Sequence, residues 1–129
     1  MASKEKFIKE LALALQDFVV YDDLVPELVK LIHKTGEAQR FTKMLIKRLD
    51  FLASYRQYAH LHHEEFEQLD ETLYSMHLSS NSFNIRILYA FSDDSTVLLL
   101  AFYEREGKNV TDYTRKIPEA MQRLRNMEE

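Results

Sequence analysis

A change of hydrophobic period near the middle of the chain constrains the fold most. In residues 3–58, apolar side chains recur every three to four positions, which is typical of helices packed on a core. Ser3 is a candidate N-cap for the first helix, whose stripe includes Phe7, Leu11 and Leu15. Pro26 marks the start of a second helix and Gly36 its end. A third, long helix is predicted from about Glu37 to near Tyr58.

The second half of the chain alternates with the period of strands. Apolar and polar residues alternate roughly over 73–78 and 83–91, and 96–103 is apolar enough to be covered on both faces. The short polar turn at Ser92–Ser95 joins the last two strands, so the three form an antiparallel meander. A closing helix is predicted from Thr111 to Met127. Its regular part is expected to begin near Thr114, because Pro118 must lie in the first turn or kink the helix.

Helices followed by strands indicate an α+β fold with the helices packed on one face of the sheet. It would consist of N-terminal helices packed on an antiparallel meander and a C-terminal helix. The length of 129 residues suits one domain. Within it, residues 1–40 form an N-terminal helical extension and residues 41–129 the core. The run from Phe18 to Tyr21 is a strand or a link.

Composition excludes several classes of function. The chain has no cysteine, two glycines and a net charge of -4. It therefore has no disulfide, thiol nucleophile or cysteine-ligated zinc, and it lacks both a phosphate-cradling glycine loop and a GxSxG elbow. No apolar run suits a membrane span or a signal peptide, so a cytoplasmic protein without a membrane partner is expected. No third of the chain is basic, so nucleic-acid binding would depend on a local site.

Two groups of residues are the first candidates for chemistry. Arg86 lies within an apolar strand, where an arginine either points to solvent or presents a rigid, charged donor fork to a phosphate. A histidine cluster, His60, His62 and His63, precedes Glu64 and Glu65. It is either a polar surface or a metal site, although no HExxH pattern is present. We assign no metal site.

One local concentration of basic residues follows the last strand: Arg105, Lys108, Arg115 and Lys116. It is diluted by Glu104, Glu106 and Asp112, so it is either a phosphate-binding patch or an ordinary mixed-charge loop. Tyr89 and Tyr103 are expected to be half-buried strand residues rather than base-stacking platforms. Tyr89 nevertheless joins Lys108, Arg115 and Lys116 as a candidate for RNA contact.

Residues 45–124 resemble the RelE/HigB-type toxins of bacterial type II toxin–antitoxin modules, particularly the phage-related HigB-like branch. That branch has a helix, LD-x-x-x-W-E-L-R, a strand close to R-I-L-F, an acidic turn, V-L-L-x-x-F, K-K-x-x-K and a helix with I-x-x-A. The matching segments are, in order, Leu69-Asp70, Tyr74–His77, Arg86–Tyr89, Asp93-Asp94, Val97–Leu99, Phe102, Arg105, Lys108, and Ile117 with Ala120.

The resemblance implies a helix-flanked sheet that enters the ribosomal A site and cleaves mRNA without a metal or other cofactor. The 2′-hydroxyl attacks the adjacent phosphate, which requires cations and proton transfer. Arg86 would hold the scissile phosphate, while Arg105 and Lys108 would bind flanking phosphates. His77 would occupy the position of the family's arginine and act as acid or base. The implied partners are an antitoxin protein, mRNA and the ribosome.

The chain departs from the family pattern at charged positions. Ser75 replaces a glutamate, His77 an arginine and Glu104 a lysine, and the chain is acidic where such toxins are basic. Three hypotheses follow: a toxin-type endoribonuclease, a catalytically inactive protein of the same fold that binds a partner protein, and a histidine-cluster metalloprotein. The N-terminal 40 residues could occlude the site, extend the core or mediate self-association as a homodimer.

Overall fold

The computed structural model describes residues 3–105 and 109–128. Within these residues there are five α-helices: α1 (Lys4–Ala14), α2 (Leu24–Ile32), α3 (Ala38–Tyr55), α4 (Ala59–His62) and α5 (Asn109–Glu128). Five strands of the described part of the chain form one sheet: β1 (Val19–Val20), β2 (Phe66–Gln68), β3 (Tyr74–Ser79), β4 (Asn84–Ser92) and β5 (Ser95–Tyr103). The protein is therefore α+β with a C-terminal helix. No helix within these residues is long and apolar enough to cross a membrane.

The helix boundaries in the first half follow the sequence signals. The Ser3 hydroxyl accepts a hydrogen bond from the Lys6 amide at 3.0 Å and caps α1. A single 3₁₀ turn follows α2 and ends at Gly36, whose φ of 73° is a left-handed conformation that glycine adopts without strain. These helices are confirmed, although α3 ends at Tyr55, three residues before the predicted end.

The antiparallel meander β3-β4-β5 is confirmed within a sheet of order β1-β5-β4-β3-β2. Asp93 takes a φ of 54° in the tight turn between β4 and β5. Two short strands extend the meander. Val19 pairs in parallel with Val97, so the Phe18–Tyr21 run contains a strand, while β2 pairs antiparallel with β3 and was not predicted.

Helices cover both faces of the sheet, so the expectation that they pack on one face is wrong. The first core joins the α1–α3 side chains to Ile85, Ile87 and Tyr89 of β4. The second joins Leu88 and Ala90 of the same strand to α5. Alternation along β4 thus supplies an apolar surface to each layer. A register shift opposite Leu88 and Tyr89 places two consecutive β5 residues, Leu99 and Leu100, in the second core.

The start of α5 also differs from the prediction. The helix begins at Asn109, and Pro118 lies inside it. Proline removes one backbone donor, a loss that the helix tolerates at this exposed position while Ala120 and Leu124 remain buried against the sheet. Packing of the apolar stripe therefore outweighs the local cost of the proline.

The N-terminal helices belong to the main core. Phe7 and Leu11 of α1 and Leu28 and Ile32 of α2 are almost completely buried in the cluster that reaches Ala101 of β5. Of the three roles open to residues 1–40, these contacts support core extension.

Candidate active site

A polar cluster interrupts the otherwise apolar sheet face that α5 covers. His77 of β3 lies directly opposite Arg86 of β4 in the strand register. Each alternates with residues of the first core, Met76 and Leu78 on β3 and Ile85 and Ile87 on β4, so both side chains point to the α5 side. We call the following six residues the His77–Arg86 cluster: Glu67, Ser75, His77, Arg86, Glu104 and Tyr113.

His77 is at the centre of the hydrogen bonds in this cluster. Its Nε2 lies 3.2 Å from Glu67 Oε1 and 3.2 Å from the Tyr113 hydroxyl. The Tyr113 hydroxyl is also 2.8 Å from Ser75 Oγ. With its proton on Nδ1, the ring accepts from Tyr113; with the proton on Nε2, it donates to Glu67. His77 can therefore exchange a proton with either neighbour.

The backbone of His77 is held by Glu65 and Arg48, whereas β4 lies along the other edge of β3. The His77 amide donates to the Glu65 carbonyl at 2.8 Å, and its carbonyl accepts from Arg48 Nε at 3.0 Å. Arg48 also forms a 4.0 Å ion pair with the Glu65 carboxylate. These contacts fix the position from which the imidazole projects.

The surroundings shift two pKa values. Burial, followed by the charge of Arg86, lowers the pKa of His77 below 6.5, although Glu67 and Glu65 oppose this shift. Burial raises the pKa of Tyr113 to about 12, against the effects of the Ser75 hydrogen bond and Arg86. At neutral pH the cluster therefore presents a neutral imidazole and a protonated phenol.

Arg86 is held by residues on both sides. Its Nε is in ion-pair contact with Glu104 Oε2, and its Nη1 donates to Asn84 Oδ1 at 2.8 Å. The Asn84 amide nitrogen, Nδ2, donates to the Glu104 carbonyl at 2.7 Å, which joins the two supports. Neither Arg86 Nε nor Glu104 Oε2 forms an aligned hydrogen bond with a described residue, so we interpret their contact as electrostatic.

Little of this ion pair reaches solvent, since the Arg86 side chain is 14% exposed and that of Glu104 is 5% exposed. Arg86 Nη2 makes no hydrogen bond to a described residue. Nε and Nη1 of the guanidinium are thus occupied by Glu104 and Asn84, and Nη2 is the donor that a ligand could use.

The other candidate residues fall into separate places. Arg105, Arg115 and Lys116 line one pocket near the end of β5, together with Lys30 and Tyr103. Lys108 lies outside the described residues. Tyr103 is half exposed.

The side chain of Tyr89 is not accessible to RNA. It is completely buried and shares a face with Ile85 and Ile87, opposite to the face of Arg86. Its ring stacks on Tyr74 at 5.5 Å between centroids. The expected contact with RNA is wrong because strand alternation directs this side chain into the helical core.

The three neighbouring histidines do not converge. His60 contacts the ring of Tyr74, His62 that of Tyr55, and His63 that of Phe66. Within the part of the chain that the structure describes, no group of three or more His, Asp or Glu residues is arranged to hold a metal ion. The metalloprotein hypothesis therefore has no support from these residues.

Four cluster members were not predicted as site residues: Glu67, Ser75, Glu104 and Tyr113. Ser75 was identifiable, since it lies two residues before His77 and alternates with the apolar residue Met76. Glu67 and Tyr113 reach the site through an unpredicted strand and through the position of α5. Local sequence patterns carry no signal for either contact.

Comparison of the chain with protein-family models, curated proteins and solved structures finds no significant match.

Proposed function

We propose that the protein is a metal-independent endoribonuclease of the RelE/HigB toxin type, acting on ribosome-associated mRNA in the cytoplasm and neutralised by an antitoxin protein. The observation that carries the proposal is the cross-strand pair of His77 and Arg86, with Glu67 and Tyr113 within hydrogen-bond distance of the imidazole. An imidazole, a phenol and a guanidinium can supply the general base, the general acid and the charge stabilisation by which phosphodiester cleavage proceeds without a metal.

Each group has a role in the proposed reaction. Neutral His77 accepts the 2′-hydroxyl proton at Nε2, and the Glu67 carboxylate stabilises the resulting imidazolium. The 2′-oxygen then attacks phosphorus, and Arg86 Nη2 opposes the charge that develops on the phosphorane. Tyr113 retains its proton at neutral pH and donates it to the departing 5′-oxygen. The products are a 2′,3′-cyclic phosphate and a free 5′-hydroxyl.

A second candidate function is suggested by the contact between Arg86 and Glu104. A buried carboxylate beside the guanidinium neutralises much of the charge that would attract a phosphate. The chain as a whole is also acidic. These observations favour the alternative of a catalytically inactive protein that acts by binding a partner protein.

The test is induced expression in a bacterial host, followed by mapping of mRNA ends. The variants are Arg86→Ala, Arg86→Lys and His77→Asn, compared at equal levels of soluble protein. Arg86→Lys guards against misfolding because it keeps a cation beside Glu104 while removing the planar fork. Arg40→Ala is the control, since Arg40 is an exposed arginine at the start of α3.

Wild type and Arg40→Ala are expected to arrest growth and to leave cyclic phosphate ends, with EDTA having no effect on cleavage in vitro. The three cluster variants should cleave at least about 100-fold more slowly than wild type, which is the usual cost of removing an acid–base or oxyanion-stabilising group. Full activity in both Arg86→Lys and His77→Asn would contradict the proposal. Absence of cleavage by soluble wild type with ribosomes would favour the protein-binding alternative.

A further inference from the structure

A pocket of about 400 Å³ lies between α2, the end of β5 and α5. Its charged lining consists of four basic residues, Lys30, Arg105, Arg115 and Lys116, and one acidic residue, Glu27. The groove between α1 and α3 contrasts with it, since its charged lining residues are Glu10, Asp17 and Asp50. Lys116 is ion-paired with Glu119 at 3.5 Å, so the basic excess of the lining is partly compensated on an otherwise acidic protein.

Glu27 does little to reduce that charge. Its carboxylate receives two hydrogen bonds from Arg123, at 3.0 and 2.6 Å, and a third from the Ala101 amide at 3.1 Å. A carboxylate that is paired bidentately has its charge compensated within the fold. Lys30 makes no ion pair with a described residue and lies exposed on α2.

The pocket also contains an exposed aromatic surface. Tyr103 is the last residue of β5, and half of its area is accessible. Leu31 and Ala101 supply apolar surface beside it. An accessible aromatic ring next to cations is the combination by which proteins bind single-stranded nucleic acid, because bases stack on the ring and phosphates approach the cations.

The pocket adjoins the His77–Arg86 cluster through Phe102. This residue lines the pocket, and its ring meets that of Tyr113 edge-on, at 5.5 Å between centroids. Phe102 is also the register partner of Arg86. Tyr103 pairs with Ile85 and so lies on the opposite face of the sheet from Arg86, which means that RNA crossing the cluster reaches Tyr103 only by passing around the end of β5.

We infer that this pocket between α2, β5 and α5, called the Lys30–Tyr103 pocket from here on, binds an unpaired RNA nucleotide next to the cleaved bond. The base stacks on Tyr103, and Lys30 holds a phosphate. The inference rests on the proposed endoribonuclease function and adds a subsite that includes α2, a helix outside the region of family resemblance. It assigns Tyr103 the stacking role that buried Tyr89 does not have.

The test measures binding separately from cleavage. Fluorescence anisotropy is recorded with a labelled single-stranded RNA of about 12 nucleotides, a length within the range of single-strand binding sites. All of its 2′-oxygens are methylated, so it cannot be cleaved. The variants are Tyr103→Leu, Tyr103→Phe and Lys30→Gln. Two matched controls are Tyr58→Leu, at a tyrosine that is 56% exposed, and Lys43→Gln, at an exposed lysine of α3.

Tyr103→Leu is expected to weaken binding about tenfold, from the loss of one stacked base, while Tyr103→Phe stays within about twofold. Lys30→Gln should weaken binding and reduce the salt slope by about 0.7, the value for one phosphate contact. Both controls should bind as wild type does. Tyr103→Leu and Lys30→Gln should keep the fold, which circular dichroism checks.

Wild-type affinity in Tyr103→Leu or in Lys30→Gln would overturn the subsite and leave the cleavage test unaffected. Absence of RNA binding by wild type would overturn it as well. Equal displacement of the RNA by a polyglutamate peptide, combined with no effect of Tyr103→Leu, would indicate an acidic protein ligand instead. Normal binding with no cleavage under any condition would refute the endoribonuclease function alone.

Discussion

Replacing Arg123 by methionine should destabilise the protein strongly, although Arg123 belongs to no proposed site. The Arg123 side chain is 9% exposed and holds α5 to α2. It donates to both Glu27 oxygens, to the Leu99 carbonyl at 2.8 Å and to Glu119 at 3.2 Å. Its guanidinium also lies 4.8 Å from the centre of the Tyr21 ring. Methionine keeps most of the aliphatic volume and removes the donors.

The expected loss in free energy of unfolding depends on how well Glu27 is compensated once Arg123 is removed. Removing one partner of a buried ion pair costs about 3–5 kcal/mol in free energy of unfolding. Glu27 is 25% exposed and keeps its hydrogen bond from the Ala101 amide, so water and this amide compensate it in part. The lower end, about 3 kcal/mol, is therefore expected, with a fall in Tm of about 12 °C for a domain of this size.

Urea unfolding monitored by circular dichroism measures the loss. Arg125→Met is the control, because Arg125 is an exposed arginine of the same helix whose Nη2 donates to Gln122; it should change stability by less than about 0.5 kcal/mol. The double variant Arg123→Met, Glu27→Met should recover part of the loss, since it removes the uncompensated carboxylate. A loss below about 1 kcal/mol in Arg123→Met would refute the reasoning.

Three further predictions concern the site and the core. Glu104→Gln removes the charge that neutralises Arg86, so RNA affinity at low salt should rise several-fold in a filter-binding assay. Unchanged affinity would show that the carboxylate does not limit phosphate binding. Folding lowers the pKa of His77, so the contribution of His77 to the free energy of unfolding is complete above the unfolded pKa of 6.5 and is lost as the pH falls through the folded pKa. His77→Asn should therefore flatten the dependence of stability on pH, measured by urea titrations between pH 8 and 5. Tyr89→Phe removes a buried hydroxyl that has no hydrogen-bond partner among the described residues, so thermal unfolding should show equal or higher stability. A loss of stability above about 1 kcal/mol would show that the hydroxyl has a partner.

Hydrophobic period predicted the local elements well and their arrangement less well. The stripe of α1, the long α3 and the alternation of β3 and β4 each follow from neighbouring residues, so the sequence reveals them directly. The parallel pairing of β1 with β5 does not, because two residues carry no period. The placement of α5 required knowing that β5 has apolar side chains on both faces, which the sequence indicated without assigning a partner to each face.

The site shows the same division between local and distant information. Arg86 was identifiable because a charge in an apolar strand is unusual, and His77 through its place in a family pattern. Glu67 and Tyr113 meet them only after three strands pair in register and α5 docks. Tyr89 is an instructive error, since alternation from Arg86 already placed it on the opposite face.

The position of Tyr113 explains why the N-terminal helices matter for the proposed chemistry. Tyr113 and Arg123 lie on the same helix, ten residues and about 15 Å apart. Arg123 binds Glu27 of α2, so a helix outside the region of family resemblance anchors the element that brings the Tyr113 hydroxyl to His77. Pro118 lies between these two positions and removes one hydrogen bond from the helix, which lowers the resistance of α5 to bending. Anchoring at Arg123 alone therefore restrains Tyr113 incompletely, and the contacts of Tyr113 with Ser75 and Phe102 must supply the remainder.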